Sequence, residues 1–119
     1  MAWTRAMHEV SLVEGVVALV EDERRKQDFS RVLMIKLRVG VIGHAEPDAL
    51  RFCFDAVTSG TIADGARLEI EMVAGAGWCA ECRRTVALGE RFAACPACGS
   101  IRVRMTAGNE LSVAEMEVE

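Results

Sequence analysis

The sequence predicts an α+β fold in which two helices pack on a small three-stranded sheet, with a cysteine-rich module inserted before the last strand. Three observations predict it. Helical and strand-like segments alternate over residues 8–73, two CxxC pairs lie within residues 75–106, and an alternating segment ends the chain. We therefore expect residues 1–74 and 107–119 to form one α/β domain, and residues 75–106 to form a second domain.

Two segments carry the apolar spacing of helices. The first helix is expected over roughly residues 8–28, where apolar residues recur at positions 13, 16, 17 and 20, and where Glu21 can pair with Arg25 one turn later. The second begins at Pro47, which suits the first position of a helix, and ends at Gly60.

Three segments alternate in the manner of half-buried strands. In residues 31–40, Leu33, Ile35, Leu37 and Val39 fall on one parity and Lys36 and Arg38 on the other. Residues 66–73 alternate in the same way. In the last segment, residues 110–119, the apolar parity changes between Val113 and Met116. A β-bulge near Ala114 would keep one buried face.

Composition and the lack of long apolar runs argue against a membrane or exported protein. The chain has 119 residues, 51% of them hydrophobic, and a formal net charge of -4. No run approaches 18 apolar residues, and the N-terminus lacks the basic-then-apolar order of a signal peptide, so we expect a soluble cytoplasmic protein with no membrane partner. Because such a compartment is reducing, paired cysteines favour metal binding over disulfides.

The cysteine module has the spacing of a zinc ribbon. Twelve residues separate the pair Cys79 and Cys82 from the pair Cys95 and Cys98. Each CxxC directs two sulfurs at one point, and two such pairs complete the tetrahedral thiolate shell that Zn(II) prefers. Four thiolates leave no position for an activated water, so the zinc is expected to be structural and a zinc hydrolase is disfavoured. Cys53 lies on the apolar stripe of the second helix and is interpreted as a buried apolar residue.

The charge of this module leaves a second function open. Residues 75–106 carry five arginines and two glutamates, a formal charge of +3, while the rest of the chain carries -7. A zinc ribbon with arginines and an aromatic residue can act as an interaction module that binds nucleic acid or a transcription complex. Four thiolates around one Zn(II) add -2, however, so the loaded module is near neutral and nucleic acid is not the expected partner.

A second metal site is suggested by His8 and Glu9, although a polar pair near a helix start is commonly only a surface feature. The decisive pattern covers nearly the whole chain. "MHEVSLVEG" from Met7, "EPDALRFCFDAVTSGTIADGARLEIE" from Glu46, the double CxxC, and "TAGNELSVAEMEVE" from Thr106 together resemble the HypA/HybF family of hydrogenase nickel-incorporation proteins.

The resemblance implies a nickel metallochaperone that is not an enzyme. It implies that His8 is the principal Ni(II) ligand with Glu9 beside it, and that the four cysteines hold a structural Zn(II). Implied partners are a HypB-type GTPase and the large subunit of [NiFe]-hydrogenase, with urease served in some organisms; the chain would be a monomer or a homodimer. Imidazole suits Ni(II) and thiolate tetrahedra suit zinc, so the two ions would occupy separate sites.

The sequence departs from the family pattern at its start. In that pattern the Met-His-Glu triplet begins the chain, so that the terminal amine and nearby backbone nitrogens can join the imidazole around nickel. Here "MAWTRA" precedes it. We expect either that translation starts at Met7, the alternative we favour, or that nickel is held by His8, Glu9 and water. His44 and Glu46 are interpreted as loop residues that become further ligands only if their loop approaches His8.

Overall fold

The computed structural model describes the backbone of residues 2–43 and 45–119, and the side chains of residues 9–43 and 45–119. Its elements, in chain order, are α1 (Ala2–Lys26), β1 (Val32–Gly40), α2 (Pro47–Thr58), β2 (Arg67–Val73), β3 (Ala76–Cys79), β4 (Arg84–Ala87), β5 (Val103–Ala107) and β6 (Leu111–Val118). The strands form two three-stranded sheets, in the orders β2-β1-β6 and β4-β3-β5. The expected fold class is confirmed.

Helix α1 begins earlier than the sequence pattern indicated. It starts at Ala2 instead of near residue 8, because "MAWTRA" contains neither Pro nor Gly and does not oppose a helix. The expected pair of Glu21 with Arg25 is also wrong. Arg25 instead lies 3.2 Å from the Asp22 carboxylate, one turn earlier, in an exposed ion pair.

Helix α2 begins and ends where the sequence predicted. Pro47 occupies the first turn, and the Glu46 side chain caps the helix by accepting a bond from the Asp48 N–H at 3.4 Å. Gly60 adopts a φ of 78° immediately after the helix, a conformation that costs glycine little. Cys53 is buried as expected, and desolvation together with the nearby Glu9 carboxylate raises the pKa of its thiol.

The first compact unit comprises Met1–Leu37, Ala45–Ile70 and Val113–Glu119. Helices α1 and α2 pack against each other within it. Strand β1 is the middle strand of its sheet, and it is buried on both parities, at Val32 and Met34 as well as at Ile35, where simple alternation predicts one buried side. The buried apolar residues of this unit are Val13, Val20, Phe29, Val32, Met34, Ile35, Leu37, Leu50, Cys53, Phe54, Ala63 and Leu68.

The second compact unit comprises Arg38–His44 and Glu71–Ser112. Its small core contains Ile42, Cys79, Val86, Leu88 and Cys95. This unit includes the whole cysteine module. The domain boundaries expected from the sequence, after residues 74 and 106, stay a prediction.

Two glycines at the ends of the module are required by close packing. A Cβ atom on Gly75 would overlap the Leu88 carbonyl oxygen and the Ile42 side chain. A Cβ on Gly108, whose φ is 109°, would lie 2.7 Å from the Gly75 Cα. These glycines therefore allow the backbone segments to approach each other.

In strand β6 the half-buried side chains change from odd to even positions, as the apolar pattern of the sequence predicted. Leu111 and Val113 are half-buried on one parity, Ala114 and Glu115 are both exposed, and Met116 resumes partial burial on the other parity. Within the described residues, no helix combines the length and apolar character needed to span a membrane.

Candidate metal sites

The first CxxC turn follows directly from strand β3. Cys79 is the last residue of that strand, and its carbonyl accepts a hydrogen bond of 2.8 Å from the Arg83 N–H. Arg83 has a φ of 54°, the left-handed conformation that reverses the chain. The Cys82 N–H points at the Cys79 sulfur, 3.4 Å away. The turn therefore places two sulfurs on the same side of the backbone.

The second CxxC turn repeats this arrangement. The Gly99 N–H donates to the Cys95 carbonyl at 2.8 Å, and Gly99 itself has a φ of 77°. The Ala97 N–H lies 3.4 Å from the Cys95 sulfur. Backbone N–H groups that point at sulfur stabilise the thiolate form, which is the form that binds metal.

The four sulfurs converge on one point. The Sγ atoms of Cys79 and Cys98 are 3.6 Å apart, those of Cys82 and Cys95 are 3.9 Å apart, and all four lie within 4.8 Å of one another. A tetrahedron with Zn–S bonds of about 2.3 Å has sulfurs about 3.8 Å apart. The donor set and its spacing thus fit one tetrahedral Zn(II) ion.

The sulfurs are electrostatically unequal. Hydrogen bonding with Cys98, burial, and the sulfurs of Cys79 and Cys95 raise the pKa of the Cys82 thiol to about 12. Desolvation acts to raise the pKa of Cys95, but bonds from the backbone N–H groups of Cys98 and Ala97 and from neighbouring thiols outweigh it and lower the pKa to about 6. Without metal, the cluster therefore shares protons among its sulfurs, and a divalent cation must displace them.

Glu9 has an environment that the sequence did not indicate. Its side chain is fully buried, and Oε2 accepts a hydrogen bond of 2.8 Å from the Glu46 N–H at the start of α2. Oε1 is also buried and has no hydrogen-bond partner among the described residues. A carboxylate at a helix N-terminus is stabilised by the helix dipole and by the unpaired N–H groups there.

The hydrogen bond between Glu9 and Glu46 joins two segments that are 37 positions apart in the chain. The sequence predicted Glu46 as a loop residue that becomes a nickel ligand only if its loop approaches His8, and it did not indicate the role of the Glu46 backbone N–H. The sequence "EPD" could have indicated that this N–H is available. A residue that precedes a proline at the start of a helix leaves its own N–H outside the hydrogen bonds of the helix. The side chain of His8 and all of His44, two further nickel candidates, lie outside the described residues.

The backbone around His8 is nevertheless helical, because α1 runs from Ala2 to Lys26. In a helix, each backbone N–H beyond the first turn is bonded to a carbonyl four residues earlier. The backbone nitrogens of the Met-His-Glu triplet are thus engaged within α1, and a planar chelate that uses them would require the helix to unwind there.

Comparison with known proteins places the chain in a family. The family model described as "Hydrogenase/urease nickel incorporation, metallochaperone, hypA" matches residues 7–118. The chain belongs to the HypA family. Among HypA relatives, "Hydrogenase maturation factor HypA" of Methylocella silvestris is 75% identical over 113 residues, covering 95% of this chain and 100% of the relative. The Rhizobium leguminosarum bv. viciae protein of the same description is 54% identical, covering 94% and 99%. The resemblance drawn from the sequence is confirmed.

Solved HypA structures share the fold. The solution structure of the Ni metallochaperone HypA from Helicobacter pylori matches with a TM-score of 0.69 at 20% identity, covering 92% of this chain and 96% of that one. A second match, titled "Solution structure of HypA protein", has a TM-score of 0.71 at 23% identity, covering 95% and 97%.

Proposed function

We propose that this protein is a nickel metallochaperone that binds Ni(II) at His8 and Glu9 and delivers it during maturation of [NiFe]-hydrogenase. In this proposal Zn(II) on the four cysteines is structural, and the protein has no catalytic activity of its own. The observation that carries the proposal is the separation of donor types: four converging sulfurs in the module, and, next to His8 in the sequence, the buried carboxylate of Glu9, whose Oε1 has no hydrogen-bond partner among the described residues.

Zinc is the ion proposed for Cys79, Cys82, Cys95 and Cys98. The sulfur spacing supports tetrahedral coordination, and four sulfurs leave no open position for water or substrate. When bound, the ion would supply folding energy to a unit whose own apolar core is small.

Nickel is proposed to bind through the His8 imidazole, with Glu9 contributing Oε1. Oε2 accepts from the Glu46 N–H, so Oε1, which has no hydrogen-bond partner among the described residues, is the oxygen proposed to bind the cation. Imidazole and carboxylate are ligands from which Ni(II) can be transferred more readily than from a closed thiolate cage. A site with few side-chain ligands suits delivery, because cargo must also leave.

The proposed partners follow from that role. The family description names hydrogenase and urease nickel incorporation. Within that role, and as the sequence resemblance implies, we propose that a HypB-type GTPase acts with the protein and that the hydrogenase large subunit receives the nickel. The charge balance does not favour the alternative of a nucleic-acid-binding module, because the chain as a whole carries -4.

The test is a Ni(II) titration, followed by absorbance and calorimetry, of zinc-loaded protein in four forms: the full chain, a chain that begins at Met7, and His8→Ala in each of these two lengths. We expect His8→Ala to bind nickel far more weakly in each. Only the chain from Met7 is expected to give the yellow spectrum of planar Ni(II), because only there does the terminal amine adjoin His8. Equal affinity of His8→Ala and its parent in both lengths would disprove the nickel assignment.

A further inference from the structure

The four cysteines of the sulfur cluster differ in how far the protein covers them. Cys79 and Cys95 are buried in the core of the module, and Cys82 is half-buried and packs against that core. Of the four, Cys98 alone is exposed, and it belongs neither to the core nor to the residues packed on it. Cys98 is therefore the cluster cysteine that a small oxidant in solution reaches first.

The turn that carries Cys98 leaves this residue open to solvent. The neighbouring Pro96, Ala97 and Gly99 are short and exposed. Beyond its chain neighbours, a Cβ atom placed on Gly99 would meet nothing within 4 Å. The described side chains of this turn thus form no barrier between Cys98 and a molecule as small as a peroxide.

A second sulfur lies close to the exposed one. The Sγ atom of Cys79 is 3.6 Å from that of Cys98, while Cys82 and Cys95 form another close pair at 3.9 Å. Cys79 ends β3 in the first CxxC turn, so its pair with Cys98 joins the two turns. An exposed thiolate with a resolving cysteine beside it is the common arrangement of redox-sensing sites.

We propose that Cys98 and Cys79 form a peroxide-sensitive switch, in which oxidation of these two sulfurs to a disulfide releases the zinc ion. Zinc binding keeps both sulfurs in the thiolate form, which is the form that reacts with a peroxide. The inference rests on the zinc site of the proposed function, and it is independent of nickel binding.

The oxidation has two steps. The Cys98 thiolate attacks one oxygen of hydrogen peroxide, the O–O bond breaks, and hydroxide leaves, which gives the sulfenic acid of Cys98. The Cys79 thiolate then attacks the Cys98 sulfur, the S–O bond breaks, and a second hydroxide leaves. The two sulfurs together lose two electrons, which the peroxide gains, and two protons from solvent convert both hydroxides to water.

The disulfide removes two ligands from the cluster. Cys82 and Cys95 alone cannot complete the tetrahedral shell that zinc prefers, so the ion leaves and the module loses the folding energy that the ion supplies. The new bond keeps the two turns together. Reduction by a dithiol can therefore return both thiolates to the cluster, and in a reducing compartment such a disulfide is transient.

The test adds hydrogen peroxide in equimolar amount to the zinc-loaded full chain and follows zinc with a chromogenic indicator and free thiols with a thiol-reactive dye. For each zinc ion released, we expect the loss of two of the five cysteine thiols. Mass mapping of the digested protein should find Cys79 joined to Cys98. A phosphine reductant followed by Zn(II) should restore both the thiols and the bound zinc.

Two histidine variants test the order of the sulfurs. Cys98→His keeps a ligand that zinc accepts beside three cysteines but removes the exposed sulfur, so zinc release by peroxide should slow by about tenfold or more. Cys82→His is the matched control, since it makes the same ligand change and leaves Cys79 and Cys98 intact. It should release zinc within about twofold of the parent rate.

A third variant, Cys53→Ala, removes the cysteine outside the cluster and should release zinc at the parent rate, because that thiol takes no part in the switch. If a histidine variant holds no zinc, the disulfide map of the parent still decides, because it requires no substitution.

Three results would overturn the switch. These are retention of zinc by the peroxide-treated parent, a first disulfide other than that between Cys79 and Cys98, or release from Cys98→His at the parent rate. Zinc is also measured before peroxide is added. An untreated chain that holds no zinc would contradict the proposed zinc site itself, whereas a zinc-loaded chain that resists peroxide would contradict the switch alone.

Discussion

At the residue scale, Glu9 combines a structural contact with a proposed ligand role. Burying a carboxylate is costly unless hydrogen bonds and nearby positive charge compensate it. The Glu46 N–H and the start of α2 supply that compensation to Oε2, whereas Oε1 lacks it in the described structure. An uncompensated buried oxygen is an atom at which a bound cation gains most.

Substitution of Glu9 separates these two roles. Glu9→Ala removes the acceptor of the Glu46 N–H, so we expect a loss of about 1–3 kcal/mol in the free energy of unfolding, measured by urea denaturation. Glu9→Gln keeps an acceptor and should lose less stability, but its neutral amide should weaken Ni(II) binding. The exposed Glu14→Gln on the same helix is the control, and it should change neither property. Equal effects of Gln and Ala at position 9 on both measurements would contradict this division.

The cysteines are distinguished by their surroundings as well as by their spacing. Cys79→Ser removes one of four converging sulfurs, so we expect it to lower zinc content and to unfold the module, as measured by metal analysis and NMR. Cys53→Ala in α2 is the control, because Cys53 lies outside the sulfur cluster. Its zinc content should equal that of the parent. Full zinc retention by Cys79→Ser would contradict a four-sulfur site.

At the element scale, the sequence predicted what depends on local spacing. Pro47 and Gly60 mark the ends of α2, and the apolar pattern of residues 110–119 agrees with the positions that are half-buried in β6, while the bulge near Ala114 stays a prediction. The start of α1 was misplaced because "MAWTRA" shows no apolar period, although it also contains nothing that breaks a helix. The burial of Glu9 could not be predicted, since it depends on a contact with Glu46 that only the folded chain creates.

Packing at the start of β3 gives a prediction for this element. Gly75→Ala would place a Cβ against the Leu88 carbonyl oxygen and Ile42, so the strand must shift, and we expect a loss of about 1–3 kcal/mol in unfolding free energy. Gly89→Ala is the matched control, because its Cβ would meet nothing within 4 Å. It should be neutral or stabilising by about 0.4–1 kcal/mol, since alanine restricts the unfolded chain. Chemical denaturation of both zinc-loaded variants tests this, and equal destabilisation would argue against the close approach.

At the scale of the whole molecule, the two compact units differ in what stabilises them. Among the described residues of the first unit, twelve apolar side chains are buried, most of them from the two helices and from strands β1 and β2. The second has a core of five buried residues, two of which are metal-site cysteines. A core of that size buries little apolar area, so the second unit should depend on its metal far more than the first.

Removal of zinc should therefore unfold one unit selectively. With a strong chelator at neutral pH, we expect the amide resonances of the module to lose their dispersion, while the helical circular dichroism from α1 and α2 is retained. Heating the metal-free protein should then give one transition, from the first unit, and adding Zn(II) back should restore the module. Addition of Mg(II), which prefers oxygen ligands, is the control and should restore nothing. If the helical circular dichroism were lost together with the amide dispersion of the module, the first unit would also depend on zinc. That outcome would contradict the prediction, because the buried residues of the first unit include none of the four zinc-site cysteines.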